Sequence, residues 1–414
     1  MTGHTKSYDV VIVGGGAAGI SVAAGLVKKK SGLNIALVEP STQHAYQPGW
    51  TFVGAGIFDQ SQTVRDESTL IPKGVEWVRQ SVEEFRADTN CVVLDDGSSL
   101  SYRYLVAAPG LRLAWDKVAG LEATLGRNGV TSNYRYDLAP YTWQLVQEMK
   151  GGEALFTQPD MPIKCAGAPQ KAMYLSCDRW RKAGVLNDIN VGFHNAGGVL
   201  FGVAAYVPAL MDYVKSYQAD LRFNQNLIAI DGDKKEATFA VKGQGETVTH
   251  ETRGFDFIHV CPPQVGHDFA AQSPLANAAG WIDVDQHSLR STKFDNVLAL
   301  GDATSTPNAK TAAAVRKQAP VVVDNLIALL EGREPKAAYN GYGACPLTVE
   351  IGKIVLAEFE YGGKVKPTFP NFINKGLQAT ARAWWLKEKL LPTLYYDWML
   401  RGDRTLAKPE TLTT

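Results

Sequence analysis

A chain of 414 residues, 45% hydrophobic, 20% charged and 10% aromatic, holds enough apolar material for two or three packed domains and is no disordered polymer. Forty-two basic residues balance forty-two acidic ones, so no whole-protein field draws the chain to nucleic acid or to acidic polymers. The five cysteines (Cys91, Cys165, Cys177, Cys261, Cys345) form no CxxC and no Cys/His run at zinc spacing, which excludes a disulfide scaffold and argues against a metal site.

The opening residues, MTGHTKSYDVVIVGGG, lack a basic segment followed by an apolar one, and no uninterrupted apolar run approaches the ~18 residues of a membrane span. The expectation is a chain that is soluble or lies on a membrane; a removed transit peptide would leave no trace. Residues 8–39 read as one βαβ unit: YDVVIV as a strand, GGGAAG as a loop opening a helix, ISVAAGLVKKK as that helix, NIALVE as a second buried strand. Gly14, Gly16 and Gly19 supply G-x-G-x-x-G in its required setting, with Ala17 and Ala18 between the last two. The first glycine allows the tight turn, the second lets backbone approach a pyrophosphate, and the third permits close helix packing. Glu39 ends the second strand, where a carboxylate accepts from ribose hydroxyls and repels a 2′-phosphate.

YRYLVAAPG, residues 102–110, is a strand running into the small-residue turn Ala108-Pro109-Gly110. NVLALGDAT, residues 296–304, is another, with Gly301 and Asp302 at its end before a helix; the glycine admits phosphate or ribityl and the aspartate binds ribityl hydroxyls. These three pieces, in this order, identify the dinucleotide as FAD. They also imply a split FAD domain, residues 1–112 with 290–330, interrupted by a second Rossmann-like domain at 113–289 and followed by a C-terminal region at 331–414. The predicted fold class is α/β with two dinucleotide-binding domains.

A nicotinamide site in the middle domain requires a second glycine fingerprint after the strand EALFTQP, but DMPIKCAGAPQK stands there, and no G-x-G-x-x-G occurs between 113 and 289. Cys165 lies just before the helix KAMYLSCDRWRKAG and beside Lys164 and Lys171. Such surroundings favour a reactive thiolate. The competing reading is a buried small hydrophobe, the usual state of a free cysteine. Cys345, in YNGYGACPLTVEIG, is the second candidate thiol; Cys91 and Cys261 read as structural, and Cys177 as a packed, weak third. Residues 374–402, NKGLQATARAWWLKEKLLPTLYYDWMLRG, combine Trp384, Trp385 and Trp398 with Arg382, Lys387, Lys389 and Arg401, and Pro392 is expected to break them into two helical pieces. That composition suits an amphipathic helix in the lipid interface, or equally a dimerisation or core helix.

Through VIVGGGAAGI, EPSTQHAYQPGWTFVGAG, KCAGAPQK, GDATSTPNAKTAAAV, CPLTVEIGK and LPTLYYDWMLRG the chain resembles the sulfide:quinone oxidoreductases, over nearly its whole length. KCAGAPQK and CPL are the specific segments; the glycine loops are common to many flavoproteins. The resemblance implies that Cys165 and Cys345 are a redox-active pair bridged by a disulfide or an extra sulfur, and that hydrosulfide attacks at Cys345 to leave a persulfide. It further implies that the sulfur released on Cys165 passes electrons to noncovalent FAD, and that ubiquinone collects them. The expected partners are hydrogen sulfide, a quinone, a sulfane-sulfur acceptor such as glutathione or sulfite, a membrane surface and a second copy of the chain, with no nucleic acid. The implied location is peripheral on a bacterial inner membrane, or on the inner mitochondrial membrane after loss of a transit peptide.

Pro48, opening the loop to Gly54, is expected against the flavin through its backbone. Lys310 either stabilises charge on the reduced ring or is a solvated lysine. His44 and His194 are proton carriers or packed histidines, and Phe359, Tyr361 and Phe372 are candidate walls of a quinone channel. An NADH:quinone oxidoreductase of the same fold and a flavin–thiol redox sensor without turnover are the rivals.

Overall fold

The computed structural model describes residues 5–243, 245, 247–368 and 377–412. β-Branched runs buried on both faces make the first sheet a mostly parallel one. Its strands run in the order Val75–Val78, Ile35–Val38, Thr5–Val13, Ser99–Ala107, Cys91–Leu94, Val82–Arg86, and Val297–Ala299 pairs with the far half of Ser99–Ala107. The register sets Val13 opposite Ala107, and Ala107 opposite Ala299. The ends of the three strands that carry the glycine loop, the Ala108-Pro109-Gly110 turn and the Gly301-Asp302 turn therefore lie side by side, at the edge where open α/β sheets bind ligands. Helices Ala17–Lys29 and Ala312–Leu330 cover one face of this sheet.

A second parallel sheet has the order Val130–Thr131, Phe257–His259, Gly152–Gln158, Ile189–Asn195, Asp220–Phe223. Helix Ala168–Lys182 packs on it through Met173, Cys177 and Trp180, which join Phe156, Phe193 and Phe257 in one apolar core. The antiparallel hairpin Gly343–Glu350 and Lys353–Glu360 extends that core. Strand alternation puts Cys345, Leu347 and Val349 on one face, turned toward the helix.

The tail differs from expectation in three respects. Its helical path continues from Ala381 to Arg401 through Pro392, without a break. Wider π turns over Leu386–Leu390 and Leu394–Trp398 flank the proline and absorb the missing N–H and the ring's demand for space. Second, Trp384 is buried, its ring 4.9 Å from that of Phe52. Third, Lys387 is only 4% exposed, its ammonium donating to the Pro48 carbonyl at 3.2 Å instead of reaching toward lipid. Among the three tryptophans Trp385 and Trp398 are the exposed ones. Phe372 and residues 374–376 lie outside the described residues. Among the described residues no helix is long and apolar enough to cross a membrane.

Candidate active site

The glycine loop has the form a dinucleotide needs. Gly14 has φ 101°, and a Cβ there would meet the Ala108 carbonyl at 2.3 Å; one on Gly19 would meet the Gly14 carbonyl at 1.8 Å. A Cβ on Gly16 would meet nothing within 4 Å, and this residue caps the helix with no side-chain partner and no acid in the first turn. The free N–H groups and the positive end of the helix thus open onto space that fits a pyrophosphate. Glu39 lies against this loop, accepting from Gly15 N at 2.7 Å and Ser41 N at 2.8 Å. Ala18 approaches Gly301 from the helix, Ala108 is tied to Val13 by a 2.9 Å backbone bond, and Gly110 follows with φ 75°. These residues fit FAD.

Asp302 is half-buried, and burial raises its pKa against the nearby charges of Lys310 and Lys164. The Lys310 ammonium is buried, donates to the carbonyls of Asp302 (2.8 Å) and Thr304 (2.9 Å), and stands 4.1 Å from the centre of the Trp281 ring. Burial pushes its pKa down to about 8. It is not a solvated lysine, and its backbone carbonyl accepts from Cys165 N at 2.8 Å, which joins the Gly301 turn to the thiol.

Cys165 and Cys345, 180 positions apart, meet with their sulfurs 3.8 Å from each other, and both are free thiols. The hairpin delivers Cys345 onto the amino end of helix Ala168–Lys182, so closely that a Cβ on Gly167 would lie 2.7 Å from its sulfur and 2.3 Å from Leu347. The helix end that would hold a nicotinamide pyrophosphate is therefore covered by this chain's own strand. Lys171 is in the first turn, where the Cα–Cβ bond tilts back toward the helix start. Its ammonium reaches Cys165 Sγ at 3.0 Å and Cys345 Sγ at 4.0 Å.

The surroundings drive the two thiols in opposite directions. A hydrogen bond from Cys345 and the charge of Lys171 hold the Cys165 pKa well below the usual thiol range despite burial, whereas the bond to Cys165 and burial push Cys345 well up. Burial works against the Lys171 charge, but the sulfurs outweigh it and its pKa is raised. Lys387 adds positive potential from the tail, although burial and the Lys171 charge push it down to about 7. Lys164 is half-buried and bonds Gln47 Oε1 at 2.5 Å.

Lys387 follows the core-helix alternative and not the interfacial one. The helical spacing held the contrary signal, since positions 383, 384, 390 and 391 place it on the buried apolar stripe and opposite Trp385. The other thiols stay apart from the pair: Cys177 is fully buried with its pKa raised by burial, burial pushes Cys261 up to about 12, and Cys91 sits half-buried on a strand of the first sheet. His44 is buried between Glu67 (3.2 Å) and Tyr395 (2.8 Å). His194 bonds Gln225 at 2.7 Å, stacks on Phe239 and is pushed by burial down to about 4. Both are packed and hydrogen-bonded. Phe359 packs edge-on to Phe201, and Tyr361 donates to the Gln286 carbonyl.

The protein family described as FAD dependent oxidoreductase matches residues 9–324. A mitochondrial sulfide:quinone oxidoreductase of Dictyostelium discoideum is 43% identical over 95% of this chain and 86% of its own length. The mitochondrial sulfide:quinone oxidoreductase of Mus musculus is 39% identical over 95% and 87%. In fold, the chain is similar to the sulfide:quinone oxidoreductase structure from Aquifex aeolicus, with a TM-score of 0.80 at 19% identity, covering 99% and 98% of the two chains.

Proposed function

Since the chain belongs to the sulfide:quinone oxidoreductase family and is an FAD-dependent oxidoreductase, we propose that it oxidises hydrogen sulfide through Cys165 and Cys345 and delivers two electrons by way of FAD to a membrane quinone such as ubiquinone. The observation that carries this reading is the 3.8 Å approach of two thiols beside a buried ammonium. A disulfide requires ~2.05 Å between sulfurs, so the pair is unbridged at 3.8 Å and closes only when the sulfurs move together.

From the bridged state, hydrosulfide attacks Cys345 Sγ and the S–S bond breaks, leaving a persulfide on Cys345 and a thiolate on Cys165. The polarity of the pair supports that direction, because the sulfur with the lower pKa is the better leaving group and Lys171 neutralises it as it departs. Lys171 and Lys387 also favour entry of an anion into a buried site. A small nucleophile such as glutathione or sulfite then takes the outer sulfur of the persulfide, and Cys345 is left as a thiolate. Bound FAD supplies the two-electron acceptor that lets the pair close again. The division into 1–112 with 290–330, 113–289 and 331–414 belongs to this reading, supported by the separate membership of the two sheets.

Anaerobic sulfide is expected to bleach the bound flavin within the turnover time, while NADH leaves it oxidised. Rapid NADH bleaching would favour the nicotinamide-dependent rival, and sulfide bleaching without steady quinone reduction would favour the sensor.

A quinone partitions into lipid, and the tail exposes Trp385 and Trp398 on a helical path that also carries Arg382, Lys389 and Arg401. Indoles at headgroup level with cations beside them support peripheral membrane contact, as on an inner mitochondrial or bacterial membrane. The double variant Trp385→Ser/Trp398→Ser is expected to lose about tenfold or more in affinity for anionic vesicles while retaining FAD. Vesicle flotation checks this, and undiminished binding would remove the tail from the membrane contact.

A further inference from the structure

Cys165 has a left-handed backbone, φ 50°. A residue with a Cβ keeps that conformation only where its surroundings over-determine it. Two holds are backbone groups: Cys165 N donates to the Lys310 carbonyl at 2.8 Å, and Ala168 N donates to the Cys165 carbonyl at 2.7 Å. The third is a side chain. Lys164 N donates to Gln264 Oε1 at 2.7 Å.

Gln264 is 6% exposed and belongs to the short strand Gln264–Val265, which pairs antiparallel with Arg112–Leu113 where the chain passes between the two sheets. Its amide nitrogen points to Cys261 Sγ at 3.8 Å, so both ends of the amide are engaged. From another side the buried Tyr134 hydroxyl lies 3.3 Å from the Lys164 carbonyl and 3.4 Å from that of Cys165.

We propose that Gln264 is a positioning residue for the thiol pair: its carbonyl pins the Lys164 N–H, keeps the turn left-handed and so aims Cys165 at Cys345, with Tyr134 as a weaker second hold. The proposal rests on the redox reading of the pair. Gln264 touches neither of the two sulfurs, and it acts by limiting the turn to the one backbone conformation from which the thiols face each other. Disulfide geometry is narrow, with Cβ atoms ~3.8 Å apart and a torsion near 90°. Relaxation of the turn toward the right-handed region rotates the Cys165 Cα–Cβ bond away and lowers the effective concentration of one thiol at the other.

Gln264→Met keeps the length of the side chain and removes the acceptor. Reduced holoenzyme is treated with diamide, which takes two protons and two electrons from the two thiols as the S–S bond forms and becomes the hydrazine; bridge formation is followed by alkylation and mass. The bridge is expected to form about tenfold more slowly in Gln264→Met and about threefold more slowly in Tyr134→Phe. FAD content and melting midpoint stay near the native values. The kcat for sulfide-dependent quinone reduction falls in step with the bridging rate, and KM for the quinone does not change. Bridging at the native rate in Gln264→Met overturns the proposal; where that variant does not fold, the native rate in Tyr134→Phe overturns it. Failure of the redox reading itself looks different, because Cys165→Ser would then keep its activity whatever the bridging rates.

Discussion

Cys165→Ser is expected to lower sulfide-dependent quinone reduction by a factor on the order of a thousand or more with FAD still bound, and Cys345→Ser to do the same. Neither hydroxyl can form the bridge or carry the extra sulfur. The two variants should nonetheless fail differently. Without Cys345 the persulfide has no seat, and Cys165 loses the hydrogen bond that contributes most to its low pKa. Without Cys165, Cys345 loses the partner whose thiolate holds its own pKa up, so it becomes easier to ionise but has no sulfur to displace. FAD binding should survive the change, since the glycine loop and Glu39 are built on the first sheet and the backbone bond from residue 165 to the Lys310 carbonyl is kept by serine. Flavin absorbance with steady-state quinone reduction measures both halves of the prediction. Full activity in either variant would remove the pair from the chemistry, whereas Cys91→Ser should turn over normally.

Lys171→Met is expected to move the pH profile of Cys165 alkylation, in reduced protein, upward, because the thiolate loses the ammonium that neutralises it. The sign follows from the charges. In the native protein Cys165 is depressed and ionises first, so its reactivity persists as pH falls below the ordinary thiol range. Removing the ammonium at 3.0 Å takes away a charge and a hydrogen bond that hold the thiolate, while burial, which opposes it, remains. The reactive form then appears only at higher pH, and a variant that is slow at neutral pH recovers as pH rises. The hydrogen bond from Cys345 persists, so the shift is partial. Lys387→Met should move the profile in the same direction and by less, because its ammonium bonds the Pro48 carbonyl and not the sulfur, and burial already pushes its own pKa down to about 7. An unshifted profile in Lys171→Met would show that the ammonium does not tune the thiol.

The positive surroundings of the thiols have a structural cost that the fold meets in several places. Three lysines converge on a turn that also contains a left-handed residue. Lys171 is compensated by the sulfurs, Lys164 by Gln47 and the charge of Asp302, and Lys387 by the Pro48 carbonyl together with a position 4.9 Å from the Phe52 ring centre. Buried cations without partners cost several kcal/mol each, so these contacts are part of what lets the site exist. They also tie the tail to the thiols: the residue that adds charge at Cys165 is carried by the same helical path that exposes Trp385 and Trp398.

The glycine loop, the helix behind it and the three strand ends of the FAD cradle were legible in the sequence because each is local. A tight turn, a close approach and a helix start are set by residues within five or six positions of one another, and that spacing survives whatever the rest of the chain does. The absence of a second glycine fingerprint was legible for the same reason. The convergence of Cys165 and Cys345 was reached through family resemblance, since no local rule brings together positions 180 apart. What tertiary structure alone decided is the electrostatic surroundings of that pair. Which thiol ionises depends on Coulomb interactions and burial across the helix, the hairpin and the tail, and these follow from three-dimensional distance. Lys387 shows the consequence most directly: its neighbours in the chain read as an interfacial cation, but the helical stripe it belongs to is buried, and the fold turns it inward against the Pro48 carbonyl.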